Sequence, residues 1–290
     1  MNPQIKNDTL SVRANPLGAE LSSIQHSNGT EFLWQGDPDW WPRQAPVLFP
    51  IVGSLRNGRY TYDGHTYELP QHGFARDLPF ETIEHSSDAI TFRLTETPDT
   101  LKAYPFHFTF DVTFKLEGAR LITLYTATNT GDSDMPFSVG GHAAFGFNWG
   151  PDDTLEDYYL SFDDPQTLNT FRLTDDKLLD TREERLLDNE TDIQITKDIF
   201  ATDALILLND HPRHLTLRSH KHPHSLRVEF DDFPHLGIWA KPGAPYVCIE
   251  PWQGHVDPAN HDGNIFNKTG ILTLKPGDTH CCRHDIIIDC

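Results

Sequence analysis

From Phe108 to Leu116 the chain alternates apolar and polar residues without a break: Phe108-Thr109-Phe110-Asp111-Val112-Thr113-Phe114-Lys115-Leu116. A period of two does not fit a helix, which repeats every 3.6 residues, but it sends Phe108, Phe110, Val112, Phe114 and Leu116 to one face of a strand. Such a strand is half-buried, apolar toward a core and polar on its other side. Glu117-Gly118-Ala119-Arg120 then supplies a turn, and Leu121 to Thr128 carries apolar, aromatic and β-branched side chains on both faces. The expected unit is an antiparallel hairpin whose second strand lies between two layers.

Similar strand signals recur at Ile90 to Leu94, Leu226 to Phe230, Gly237 to Ala240, Tyr246 to Glu250 and Ile271 to Leu274, separated by loops that draw on 21 Pro and 19 Gly. Helical signals are few. Thr97-Pro98-Asp99-Thr100-Leu101-Lys102 offers an N-cap threonine with proline at the first helical position, and Asp198 to Leu205 offers another turn or two. The acidic stretch from Asp175 to Asp192 reads as a surface insertion. No linker and no internal repeat divides the chain, so the expectation is an all-β fold of large antiparallel sheets forming one domain over residues 1–290.

Charge narrows the partners. With 43 acidic against 23 basic side chains the net charge is -20, a field that repels nucleic-acid phosphates and anionic lipid. The N-terminus lacks the layout of a signal peptide, and no stretch approaches the roughly 18 apolar residues of a membrane span. Cys248, Cys281, Cys282 and Cys290 form no CxxC pair and no framework spread over the chain. These features predict a cytoplasmic protein with free thiols, no nucleic-acid partner and no membrane partner; nothing in them chooses between a monomer and a homodimer.

Four segments set reactive side chains among glycines, prolines and aromatics: Phe49 to Arg56, Gln71 to Arg76, Gly140 to Phe145 and Cys248 to Trp252. That texture suits a lined cleft better than a packed core. In the last, Val247 and Ile249 face one way while Tyr246, Cys248 and Glu250 face the other, so the Glu250 carboxylate shares its face with an aromatic ring and a thiol. Such surroundings raise a carboxylate pKa toward that of a general base; a solvated or salt-bridged structural glutamate fits the same pattern. His142 follows Gly140-Gly141, which would let the backbone approach a ligand, and its imidazole can exchange a proton near neutral pH; a structural histidine bonded to a carbonyl is the competing reading. His72, beside Gly73, stands in the same position. Arg56 and Arg76 offer planar donor forks to sugar hydroxyls or to an anion, against the ordinary alternative of surface arginines. Trp239, Trp252 and the pair Trp40-Trp41 could stack on a sugar ring or simply fill the core.

Other constellations carry less. His211, His214, His220, His222 and His224 sit among prolines and charges as a hairpin tip would, and Cys281 and Cys282, adjacent in a strand, point to opposite faces and cannot readily join one tetrahedral metal site. No metal site is expected at either. GxSxG, P-loop and GxGxxG motifs are absent, which leaves esterase, nucleotidase and dinucleotide readings without support.

Taken in order, the four segments resemble the aldose 1-epimerase (galactose mutarotase) family, most closely its bacterial LacX-like branch. The likeness extends to Asn15-Pro16-Leu17-Gly18-Ala19-Glu20-Leu21, to Trp41-Pro42 and Gly58-Arg59-Tyr60, to Thr128-Asn129-Thr130-Gly131 with Pro136-Phe137, and to Leu274-Lys275-Pro276-Gly277-Asp278. The resemblance implies a galactose mutarotase-like β-supersandwich with an open sugar-binding cleft. It implies Glu250 as general base, His142 as general acid, His72 as a second active-site histidine and Arg56 as a sugar-binding arginine. Arg76 matches the segment of a related hexose-6-phosphate branch. The stretch Gly237 to Lys241 falls where the family holds sugar hydroxyls with an aspartate; no aspartate stands there and its replacement is left open, while Trp239 and Lys241 of this stretch are counted among the substrate-binding candidates. The activity implied is interconversion of the anomers of a hexose by acid/base ring opening, with no cofactor; a hexose-6-phosphate epimerase and a non-catalytic carbohydrate-binding protein are the alternatives.

Overall fold

The computed structural model describes residues 2–290. The alternating run forms the strand Phe108–Glu117, with Phe108, Phe110, Val112, Phe114 and Leu116 all buried. It pairs antiparallel with Arg120–Asn129, as the turn signal at 117–120 predicts. Leu121, Ile122 and Thr123 are buried in succession, so both faces of this second strand are covered where the sequence makes both apolar.

That hairpin lies within a nine-stranded antiparallel sheet. Its order is Glu184–Gln194, Tyr158–Thr170, His214–Ser219, Ser225–Glu229, Thr279–Asp289, Arg120–Asn129, Phe108–Glu117, Ala89–Thr95 and Glu81–His85. A six-stranded sheet comprises Leu205–Leu208, His235–Trp239, Tyr246–Gln253, Val139–Gly141 and Val47–Leu48 in that order, with Ala143–Gly146 also pairing onto Tyr246–Gln253. Apolar side chains from both sheets join one contiguous core running from Ile5 to Ile288. Within it, the rings of Phe49 and Phe110 stack with centroids 4.2 Å apart. A smaller apolar cluster of Leu48, Val52, Leu179, Ala204, Ile206, Trp252 and Val256 sits at one side of the six-stranded sheet.

The helix expected at 97–102 is present as Pro98–Ala103, with the Thr97 hydroxyl accepting from the Thr100 N–H at 3.2 Å. Two expectations fail. Residues 198–204 form successive turns, not helix, and Leu205 opens a strand. The acidic stretch is not a mere insertion: Glu184–Gln194 is an edge strand of the large sheet, where solvent on its outer side tolerates the acidic residues, and the loop before it reaches into the cleft described below. Adjacent Cys281 and Cys282 do diverge, one exposed and one buried. Among the described residues no helix is long and apolar enough to cross a membrane.

Candidate active site

The strand Tyr246–Gln253 is buried along its whole length. On one side it pairs with His235–Trp239, which sets Gly237 opposite Glu250. On the other side it meets two short segments in turn, Ala143 opposite Ile249 and Gly140 opposite Trp252. The register is the same on both sides of the break, so His142 falls opposite Glu250. Side chains of opposed residues share a face. The result is a contact of 3.2 Å between His142 Nε2 and a Glu250 carboxylate oxygen.

Small residues make this arrangement possible. A Cβ on Gly237 would lie 2.3 Å from the Trp252 ring, and one on Gly140 would lie 2.8 Å from it. These glycines therefore clear space for an indole. Gly141 likewise packs against Tyr125 and His284, so the Gly140-Gly141 pair serves internal packing and not the close approach of a ligand.

His72 reaches the same place from the 70–77 loop. Its backbone N–H donates to the Gly53 carbonyl at 2.9 Å, and the Gly53 N–H donates back to His72 Nδ1 at 3.1 Å. Since Nδ1 accepts, the neutral ring carries its proton on Nε2. At Gly73, with φ of 71°, a Cβ would sit 2.3 Å from the Phe49 carbonyl oxygen, so only glycine lets the loop close on the 49–53 segment. The His72 and His142 rings meet edge to face with centroids 5.6 Å apart.

Around these groups lies a cleft of 290 Å³ whose lining includes His72, His142, Glu250, Arg76, Trp41, Trp239 and Trp252. Trp41 stacks on the His142 ring with centroids 5.1 Å apart, and Trp239 packs against its edge. The aromatic walls fix the imidazole and strip it of water. Burial accordingly holds His142 well down, to about 3, with the Arg76 charge acting in the same direction. Burial also lowers His72, with His142 next in weight. Glu250 moves the other way: burial raises its carboxyl well above the ordinary carboxylate range, and the Asp203 charge adds to the rise. The pair thus favours a state with one shared proton and no separated charge.

The structure divides the expected substrate-binding residues. Arg76 and Trp239 line the cleft; the Arg76 guanidinium donates to the Gln71 carbonyl through Nη2 at 2.8 Å, and its buried Nε makes no hydrogen bond among the described residues, lying 3.8 Å from an Asp77 carboxylate oxygen. Arg56 is exposed and donates to the His261 carbonyl at 2.7 Å, on a depression that adjoins the cleft through Ser54, Gln71 and Lys177. Lys241 points away, bonding the Asp39 carbonyl at 3.1 Å above the Trp40 ring. Its strand ends at Trp239, so the chain has turned from the cleft before residue 241.

In their place the cleft contains Asp203 and Lys177, paired at 2.5 Å. They come from the two segments read as helix and as insertion. Both sit at positive φ, 71° and 58°, in turns with no periodic pattern to reveal them. Asp203 is, with Glu250, one of two carboxylates on the lining, in a cleft to which Gly237 to Lys241 contributes none. The only sequence signal was an acidic residue beside the apolar run Ala204-Leu205-Ile206-Leu207.

The chain is 34% identical to the plasmid and chromosomal LacX proteins of Lactococcus lactis subsp. lactis, over 99% of both chains. A galactose mutarotase related enzyme from Lactobacillus acidophilus matches its structure with a TM-score of 0.95 at 36% identity, over 100% of this chain and 98% of that one. A galactose mutarotase-like protein from Lactobacillus casei matches with a TM-score of 0.92 at 32% identity over the full length of both. The family model for aldose 1-epimerase matches residues 3–277. With a galactose mutarotase-like all-β fold and near-complete coverage by that model, the chain belongs to the aldose 1-epimerase family.

Proposed function

We propose that the protein is an aldose 1-epimerase that interconverts the α and β anomers of a hexose, with Glu250 as base and His142 as acid. One observation carries the reading: a buried carboxylate and a buried imidazole lie 3.2 Å apart at the floor of an aromatic-walled cleft of single-sugar size. Anomerisation asks for little more. The carboxylate takes the proton of the C1 hydroxyl, the imidazolium protonates the ring oxygen, and the bond from C1 to that oxygen breaks to give the open aldehyde. Rotation about C1–C2 presents the other carbonyl face, and both proton transfers reverse to close the opposite anomer.

The empty pair does not begin in that charge state, because burial leaves its single proton on Glu250. A sugar corrects this. Its hydroxyls donate to the carboxylate and its ring oxygen accepts from the imidazole, and each bond favours the charged form of its partner. The proton need only cross the 3.2 Å contact. His72, a fixed Nε2–H donor, is placed to bond an oxygen of the substrate, while Arg76, Asp203 and Lys177 supply donors and acceptors for the remaining hydroxyls.

Two cations on the lining, Arg76 and Lys177, favour a second reading in which the sugar carries a 6-phosphate. Polarimetry on freshly dissolved α-glucose, α-galactose and their 6-phosphates tests both. The wild type accelerates mutarotation of at least one of them, and Glu250→Gln and His142→Asn each lose on the order of 10²- to 10⁴-fold in kcat. No acceleration with any aldose, free or phosphorylated, would defeat the proposal; equal kcat/KM for free and phosphorylated sugar would remove the second reading.

A further inference from the structure

Cys248 is fully buried two residues before Glu250 on the same face of the strand, and it takes no part in the proposed proton transfers. Its Sγ, a ring nitrogen of His142 and a Glu250 carboxylate oxygen all lie within 4.8 Å of one another. Among the described residues this is the one trio of histidine, cysteine or carboxylate groups so closely gathered. Ligand atoms around a tetrahedral zinc ion are separated by roughly 3.3–3.8 Å, given metal–ligand bonds of about 2.0–2.3 Å. The His142–Glu250 distance of 3.2 Å is already at that spacing, and the sulfur, within 4.8 Å of both, needs a shift of at most about an ångström.

The donors are one nitrogen, one sulfur and one oxygen, a set that suits a borderline-soft divalent ion and is a poor match for Mg²⁺ or Ca²⁺, which take oxygen. His142 and Glu250 open onto the cleft while Cys248 stands behind them, so an ion can enter from solvent, bind three side chains and keep its fourth position toward the cleft. We propose that His142, Cys248 and Glu250 form a binding site for a divalent cation of the Zn²⁺ class, and that the bound ion silences the acid/base pair. On binding, the hydrated ion gives up waters to form metal–nitrogen, metal–sulfur and metal–oxygen bonds, and the thiol proton together with the proton shared by His142 and Glu250 passes to solvent. No oxidant or reductant is involved.

The binding claim stands apart from the proposed reaction; only the loss of activity rests on it. Co²⁺ is the probe, because a cobalt–thiolate bond gives a near-ultraviolet charge-transfer band and a tetrahedral site gives strong visible bands. The full chain is titrated in a Cys281→Ser, Cys290→Ser background so that exposed thiols do not contribute. The expected result is one equivalent of Co²⁺ per chain with both signals, lost in Cys248→Ala and displaced by Zn²⁺. Cys248→Ser, closer in volume, serves if the alanine variant does not fold. Absence of the thiolate band in the parent, or its persistence without Cys248, overturns the site. In a separate arm, Zn²⁺ slows mutarotation by tenfold or more, excess sugar competes with it and a chelator restores the rate; within Cys248→Ser the ratio of rates with and without Zn²⁺ moves toward one. If the protein accelerates no sugar's mutarotation, the spectroscopic arm still decides whether the ion binds.

Discussion

His72 has a φ of 66°, a region that most side chains avoid and that asparagine enters more readily than others. Its two bonds to Gly53 tie the 70–77 loop to the 50–53 segment, and the same bonds leave Nε2–H as a donor toward the cleft. In the proposed reaction this one ring therefore both fastens the loop and donates to the substrate, and a single substitution can part the two roles. In His72→Asn the side-chain oxygen can accept from the Gly53 N–H while the Nε2 donor is gone, and the backbone angle suits the new residue. The expected outcome is a melting temperature within a few degrees of wild type and a kcat lower by about 10²-fold, the scale of losing one oriented donor to a developing charge. Unchanged kcat would make His72 a loop fastener only; steady-state polarimetry beside a thermal melt distinguishes the two. The sequence placed His72, His142 and Glu250 together only through the order of four segments. For His142 and Glu250 the reason is register: the segments on either side of His142 pair with Tyr246–Gln253 in one register, so His142, in the break between them, faces Glu250, a relation no local pattern displays.

Elements differ in how openly the chain announces them. The hairpin from Phe108 to Asn129 was legible because one face meets the core and the other does not, which writes a period of two into the residues. Tyr246–Gln253 was legible only as far as Glu250, since all eight residues are buried and no exposed face carries the pattern on through Pro251 and Trp252. The cleft walls at 173–177 and 203–204 were illegible for a different reason: they are turns, held by contacts such as Lys177 with Asp203 that join residues 26 apart. Gly237 ties the legible to the hidden. It looks like a flaw in the strand His235–Trp239, yet it is where the Trp252 ring crosses to reach the cleft. Gly237→Ala forces that ring aside. Overpacking of this kind costs typically about 1–3 kcal/mol, and moving Trp252 removes part of the cleft floor. Denaturant melts are expected to show a lower midpoint with an unchanged slope, and sugar KM is expected to rise several-fold. Wild-type stability together with wild-type KM would mean that Trp252 can shift without consequence.

At the scale of the whole molecule the histidines outweigh the net charge of -20 in deciding how stability depends on acid. Burial holds His142 and His235 down to about 3 and His284 to about 4. In the unfolded chain each titrates near 6.5. Below pH 6.5 the unfolded state therefore binds protons that the folded state refuses, so the stability these groups confer is whole above pH 6.5 and is lost as pH falls toward 3 to 4. At pH 5 the loss is on the order of 2 kcal/mol for each histidine, since one pKa unit corresponds to about 1.4 kcal/mol. Three such groups approach the total stability of an ordinary domain, about 5–15 kcal/mol. Two effects oppose the trend. Glu250, raised by burial, gains relative stability at low pH, and protonation of exposed carboxylates relieves repulsion, although that relief comes mostly near pH 4, below the window. The melting temperature should consequently fall steeply between pH 7 and pH 5. His284, packed between Tyr125 and Phe233, offers the cleanest control because it lies outside the cleft. In His284→Phe the plot of unfolding free energy against pH should lose about one proton's worth of slope between pH 5 and 6, whatever the change in stability at pH 7.5. A slope identical to wild type would mean that His284 is protonated in the fold, and the acid sensitivity would then have to come from elsewhere.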